Sequence, residues 1–222
     1  MNPIHQEAGR DDEQLGFQAA RGILVIGASR GGLEAISTIA RSLSPDLPVA
    51  VAAVLHSAPD GPRILAEIIG ARAALPVSYA TQGAALLPGH LYIAPPDAQL
   101  IVAAPGMLGL EATLTVRNSR PAADPLFESA AKVYKDRVIG VVLTGDDGDG
   151  TAGLRAIHAA GGIAVIQEPS DAFDPSMPES ALYGDDPDYR VQIEDMGALL
   201  TTLTHLLGTT PHSTVKDQVG HG

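Results

Sequence analysis

Cysteine is absent from the 222 residues, which removes disulfide staples and thiolate metal sites from consideration. Tryptophan is absent too, and aromatic residues make up only 4% of the chain, so a core has to be assembled from Ala, Val, Ile and Leu. Such a composition suits buried parallel strands covered by Ala-rich helices. Basic residues are few: Lys and Arg number 14 against 26 Asp and Glu, a formal net charge of −12. With no Lys/Arg run to neutralise phosphates, nucleic acid is not expected as a partner. No apolar run approaches the ~20 residues that a membrane-spanning helix needs, so no membrane insertion is expected. The opening MNPIHQEAGRDDEQ lacks the apolar stretch of a secretory signal, and a cytoplasmic protein is the expectation.

What is present is enough for one substantial core: 45% of the residues are hydrophobic. The pattern divides into a polar tail over 1–20, one domain over 21–208 and a second polar tail over 209–222. Within the domain, short apolar runs at 22–27, 49–55, 138–144 and 163–167 read as buried strands. Helical periodicity follows Gly31-Gly32, with Leu33, Ile36, Ile39, Ala40 and Leu43 on one face. Further helices are expected after an N-cap at Asp60, and over 125–135, 151–160 and 196–207. Between 77 and 116, shorter runs at 91–94, 99–102 and 110–116 alternate with Pro and Gly, and predict a small antiparallel meander. The alternation as a whole predicts an α/β fold: a doubly wound, mostly parallel sheet flanked by helices, with the meander inserted.

In open parallel sheets, functional groups collect beyond the carboxyl ends of the strands. The run at 22–27 leads into Ala28-Ser29-Arg30-Gly31-Gly32, the run at 49–55 into His56, and the run at 138–144 into Gly145-Asp146-Asp147-Gly148-Asp149-Gly150. A serine, a histidine and an aspartate therefore stand where one cleft can hold them, as nucleophile, general base and orienting carboxylate. Glycines around Ser29 permit a tight strand-to-helix turn, and the N–H groups at the start of the next helix can stabilise an oxyanion. The order Ser, His, Asp is not that of the α/β-hydrolases, in which the acid precedes the histidine.

Singly, each residue has a plainer reading. Gly-rich strand-to-helix turns usually bind nucleotide phosphates, a strand-end histidine usually satisfies a backbone bond, and an aspartate among glycines is usually a turn residue. A dinucleotide site would want an acidic residue where His56 stands. Asp147-Gly-Asp149-Gly-Thr151 matches the D-x-D-G-T signature of magnesium phosphotransferases that form an aspartyl phosphate, but it lies several residues past its strand. His90, His158 and His205 have default packing or surface roles, and Asp185, Asp186 and Asp188 read as a solvated loop.

Taken together, the residues resemble the catalytic domain of the CheB-type chemotaxis methylesterases. The resemblance runs from about Gly22 to about Leu207. It is carried by Ile26-Gly-Ala-Ser29-x-Gly-Gly32, His56, Leu91-Tyr-Ile-Ala-Pro95, Asp124-Pro-Leu-Phe127 with Ser129-Ala-Ala131, Gly140-Val-Val-Leu-Thr-Gly145, Asp149-Gly150, Ala160-Gly161-Gly162 and Met177-Pro178-Glu179. It implies a Ser29, His56, Asp149 triad that hydrolyses glutamyl methyl esters on a methylated chemoreceptor-like protein. It also implies deamidation of selected glutamines and no metal or organic cofactor. Arg30, Gly31 and Asp146 are the candidates for substrate and oxyanion contacts. Two departures stand beside the triad: Arg30 replaces the family's usual threonine, and Asp146-Asp147 replaces an apolar residue and glycine. The expectation drawn from them is that Arg30 pairs with one of the two aspartates. The family's N-terminal phosphoacceptor domain does not fit into this chain, so regulation is expected from a separate response-regulator partner. The competing readings are a weakly catalytic domain of the same fold that binds receptors or signalling partners, and a magnesium phosphotransferase acting through Asp147 and Asp149.

Overall fold

The computed structural model describes residues 20–57, 63–112 and 121–207. The expected N-cap Asp60, both terminal tails apart from Ala20, and the stretch 113–116 of the expected third meander strand lie outside the described residues.

Seven strands form one sheet in the order β3-β4-β2-β1-β7-β8-β9. They are β1 Ile23–Ala28, β2 Ala50–Leu55, β3 Val77–Tyr79, β4 Leu91–Ile93, β7 Val138–Val142, β8 Ile163–Gln167 and β9 Tyr189–Val191. Every pairing in it is parallel. Such a sheet is buried on both faces, which explains the unbroken apolar runs of β1, β2, β7 and β8.

Side chains alternate between two cores. Leu24 and Ile26 of β1 join Val51 and Ala53 of β2 beneath α1 (Gly32–Ser42), α2 (Leu65–Gly70) and α6 (Ile193–Leu206). Ile23 and Val25 face the other way with Ala50, Ala52 and Val54, beneath α3 (Ala123–Tyr134), α4 (Thr151–Ala159) and α5 (Ser176–Gly184). The small strand residues leave room for Phe127 and Leu126 of α3, both fully buried.

The chain winds outward from β1 to β2 and then returns to place β7 on the other side of β1. The strand order therefore reverses between β1 and β7, and the crevice beyond their carboxyl ends is the natural place for a site.

The region 77–112 departs from the expected meander. The run at 91–93 is β4, which lies parallel between β2 and β3 in the main sheet. Among the described residues the antiparallel strands are β5 (Gln99–Ala104) and β6 (Met107–Glu111), with a register shift near Ala104, and Ala85 adds one antiparallel bridge to Met107. Flanking Pro and Gly mark where a strand stops, but not which strand it joins.

The segment after β8 holds α5 and β9, which the sequence pattern does not mark, and Asp185, Asp186 and Asp188 lie in the loop between them, as expected. Two of these aspartates are structural ties rather than solvated groups. Asp188 accepts the N–H of Ala164 in β8 at 2.8 Å, and Asp185 lies 3.2 Å from Nδ1 of His158 on α4. No helix among the described residues is long and apolar enough to cross a membrane.

Candidate active site

The sheet ladder itself brings the serine and histidine level. Ala28 at the end of β1 pairs with Leu55 at the end of β2, so Ser29 and His56 emerge side by side. The pairing runs one step further on both sides: His56 N–H donates to Ala28 O at 3.1 Å, and Ser29 N–H donates to Thr144 O at 3.0 Å.

Beyond Ser29 the chain must turn at once into α1. Gly31 makes that turn at φ 80°, the left-handed region glycine enters without penalty. A Cβ at this position would lie 2.7 Å from the Cβ of Phe173, so the close approach of that loop also requires glycine. The Arg30 and Gly31 N–H groups donate to none of the described residues and stand free at the start of α1.

Asp149 is the most enclosed member of the site, 1% exposed. Its Oδ2 lies 2.7 Å from His56 Nε2 and accepts the Ala123 N–H at 2.5 Å. Its Oδ1 accepts the N–H groups of Asp124 and Gly150 at 3.1 and 2.9 Å. Ala123 and Asp124 are the first residues of α3, whose unpaired N–H groups and positive dipole end favour a carboxylate. Gly150, at φ 85°, turns the chain into α4 just behind it. Burial pushes the Asp149 carboxyl upward, but the His56 hydrogen bond and the two N–H donors of α3 outweigh it and hold it below the ordinary value of 3.8.

Burial likewise pushes His56 downward. The hydrogen bond and charge of Asp149, with the charges of Asp147 and Asp146, overcome this and raise the imidazole above its ordinary 6.5. With Nε2 committed to Asp149, Nδ1 is the nitrogen left for a second partner. It faces Asp147, whose Oδ2 is 3.6 Å away and whose Oδ1 accepts the N–H of Asp149 at 2.9 Å. The Ser29 hydroxyl donates to Asp146 Oδ1 at 3.0 Å, and no hydrogen bond joins it to His56 among the described residues.

Arg30 does not pair with Asp146 or Asp147. Its guanidinium lies 3.8 Å from Asp174 and 5.7 Å over the ring of Phe173, which is 73% exposed. The reason is local packing: the loop after β8 lies directly over Gly31, so Asp174 is the carboxylate that Arg30 meets. The other two are engaged by Ser29 and His56.

Sequence reasoning also passed over Thr144. Its buried hydroxyl donates to Arg30 O at 2.8 Å and accepts the Asp174 N–H at 2.9 Å, while its own N–H donates to Gln167 at 3.0 Å. One side chain thus ties the nucleophile turn, the end of β7 and the Phe173 loop together. Gly145, next along, has Ser29 Cβ and Met177 too close to admit a Cβ. A threonine followed by glycine at a strand end was the available signal, but its partners are distant in sequence. Of the discounted histidines, His90 bonds Ser78 at 2.8 Å and stacks on Tyr92, away from these residues. A phosphotransferase reading through Asp149 fails on geometry, because that carboxylate is enclosed and fully engaged by His56 and three N–H groups.

Comparison with known proteins shows the family of the whole domain. The family model described as CheB methylesterase matches residues 24–200. A Leptospira interrogans protein, under a provisional name for methylesterase and glutaminase activity, is 34% identical over 81% of this chain and 93% of its own length. The "Protein-glutamate methylesterase/protein-glutamine glutaminase of group 3 operon" of Rhizobium meliloti is 35% identical over 82% of this chain and 51% of its own length. Among solved structures, the Thermotoga maritima CheB methylesterase catalytic domain superposes with a TM-score of 0.78 at 31% identity, covering 82% of this chain and 98% of that one. The chain belongs to the CheB methylesterase family.

Proposed function

We infer that this protein is a protein-glutamate methylesterase that works through Ser29, His56 and Asp149, with glutamine deamidation as a second activity of the same site. The observation that carries the reading is the 2.7 Å contact between His56 and the buried Asp149, with Ser29 level with His56 at the next strand end. In this reading the Ser29 hydroxyl attacks the side-chain ester carbonyl and passes its proton to His56. Asp149 holds the imidazole and stabilises its charged form. The free N–H groups of Arg30 and Gly31 stabilise the oxyanion. Protonated His56 then gives its proton to the leaving methoxide, and methanol departs. Water, activated by the same histidine, hydrolyses the acyl-enzyme to a glutamate carboxylate and restores Ser29. With glutamine as substrate, ammonia replaces methanol.

The substrate of this reading is a methylated chemoreceptor-like protein. A separate response regulator is the partner it implies for control, and the cytoplasm is its site of action. The test is methanol release from a methyl-labelled receptor. Ser29→Ala should reduce turnover by about three powers of ten or more while the fold survives. A Ser29→Ala protein with wild-type turnover would sink the assignment.

A further inference from the structure

The catalytic reading asks Ser29 and His56 to touch each other, yet each is engaged by a different carboxylate of the loop after β7. Ser29 Oγ donates to Asp146 at 3.0 Å, and His56 Nδ1 faces Asp147 at 3.6 Å. Nε2 is held by Asp149 at 2.7 Å, so Nδ1 is the nitrogen that must accept the serine proton. One hydroxyl hydrogen cannot serve Asp146 and His56 at once. We propose that Asp146 and Asp147 are positioning residues that hold nucleophile and base in a resting arrangement, so that catalysis requires the Ser29 hydroxyl to exchange Asp146 for His56.

The two contacts lie on the adjustable side of the site. Asp146 is exposed and Asp147 is half-buried, whereas Asp149 is enclosed by α3 and α4. The proposed exchange is a movement of the Ser29 side chain that leaves the strand ends carrying Ser29 and His56 paired as they are. The charges act in the same direction. His56 is faced by Asp149, Asp147 and Asp146, all from the loop after β7, while the neighbouring cation Arg30 is turned aside to Asp174. An imidazole so surrounded keeps its proton to higher pH than an ordinary histidine, and a protonated ring cannot accept another. Asp146 and Asp147 also put negative charge beside the nucleophile and base, and a like charge developing on a substrate carbonyl held by Ser29 would be disfavoured by it.

The proposal rests on the triad reading, and one experiment separates the two. Wild type, Asp146→Asn, Asp147→Asn and the double variant are treated with a fluorophosphonate across pH 5.5 to 9, and the labelling rate at Ser29 is followed. Asparagine keeps an acceptor for the Asp149 N–H, so the histidine's partner stays in place. The expected result is that the double variant labels about tenfold faster near pH 6.5, with its rising acid limb moved to lower pH. The factor is modest because one carboxylate is exposed and the other half-buried, which screens their charges. A merely structural pair would lower the rate and leave the limb where it is. Labelling at Ser29 that is slower, or unchanged with the limb unmoved, overturns the positioning role and leaves the triad standing. No labelling of Ser29 in any of the proteins overturns the triad, and the positioning role falls with it.

Discussion

On one side of the His56 ring stands Asp149, 1% exposed and held by N–H groups from the first turn of α3 and from Gly150. On the other side stand Ser29 and the exposed Asp146, joined by a single side-chain bond, with Arg30 leaning outward over Phe173. The first side is assembled by folding itself, since α3, α4 and β2 all meet at one carboxylate. The second is laid over a finished sheet by loops. Stability and chemistry are therefore divided: substitutions on the Asp149 side disturb the fold, and those on the Ser29 side retune the reaction.

The largest effect that would sharpen this contrast is expected at Asp149. Asp149→Ala leaves the N–H groups of Ala123, Asp124 and Gly150 without their acceptor in a buried place, at a cost of about 2–4 kcal/mol by urea denaturation. Asp146→Ala should leave the urea midpoint unchanged. Equal losses in the two variants would break the comparison. The pH dependence has a definite sign. The folded-state carboxyl of Asp149 lies below its ordinary 3.8, so its contribution is present above that value and is lost as pH falls through the lower folded-state value. Asp149→Asn should therefore flatten the fall of stability below about pH 4, and an unchanged acid slope would contradict the account.

A smaller effect is expected at Arg30. The guanidinium is mostly exposed and its ion pair with Asp174 is long, so Arg30→Ala should change turnover by a few-fold only. The loss should shrink as salt is added, since exposed charges are screened. Asp174 is bound principally by Ser176, through side chain and backbone, and should keep its place without the arginine. A loss of two powers of ten at Arg30 would mean that it belongs with the chemistry rather than the rim.

Sequence alone marked Ser29 and His56 as the residues directly after β1 and β2, and Asp149 as lying in the loop that follows β7, because period and apolar runs mark where buried strands stop. Turning those ends into one site took only the rule that parallel sheets present their functional groups there. Partner choice was not legible. The run at 91–93 reads the same whether it joins a meander or, as it does, slots between β2 and β3. Charge complementarity along the chain suggested Arg30 with Asp146 or Asp147, whereas packing of the Phe173 loop over Gly31 decided for Asp174. α5 was hidden by the Asp- and Pro-rich stretches that flank it, and β9 by its shortness and its position at the sheet edge. The acceptor role of Asp149 toward α3 was invisible for another reason: backbone N–H donors carry no sequence signature.

The central claim is that Ser29 is a nucleophile activated by His56. Fluorophosphonate labelling followed by peptide mass mapping tests it most directly, on the wild type and on His56→Ala side by side. The account predicts one adduct, on Ser29, forming at least a hundredfold more slowly in His56→Ala because triad members act as a unit. An adduct on another residue, or one that forms on Ser29 at the same rate without His56, would contradict it.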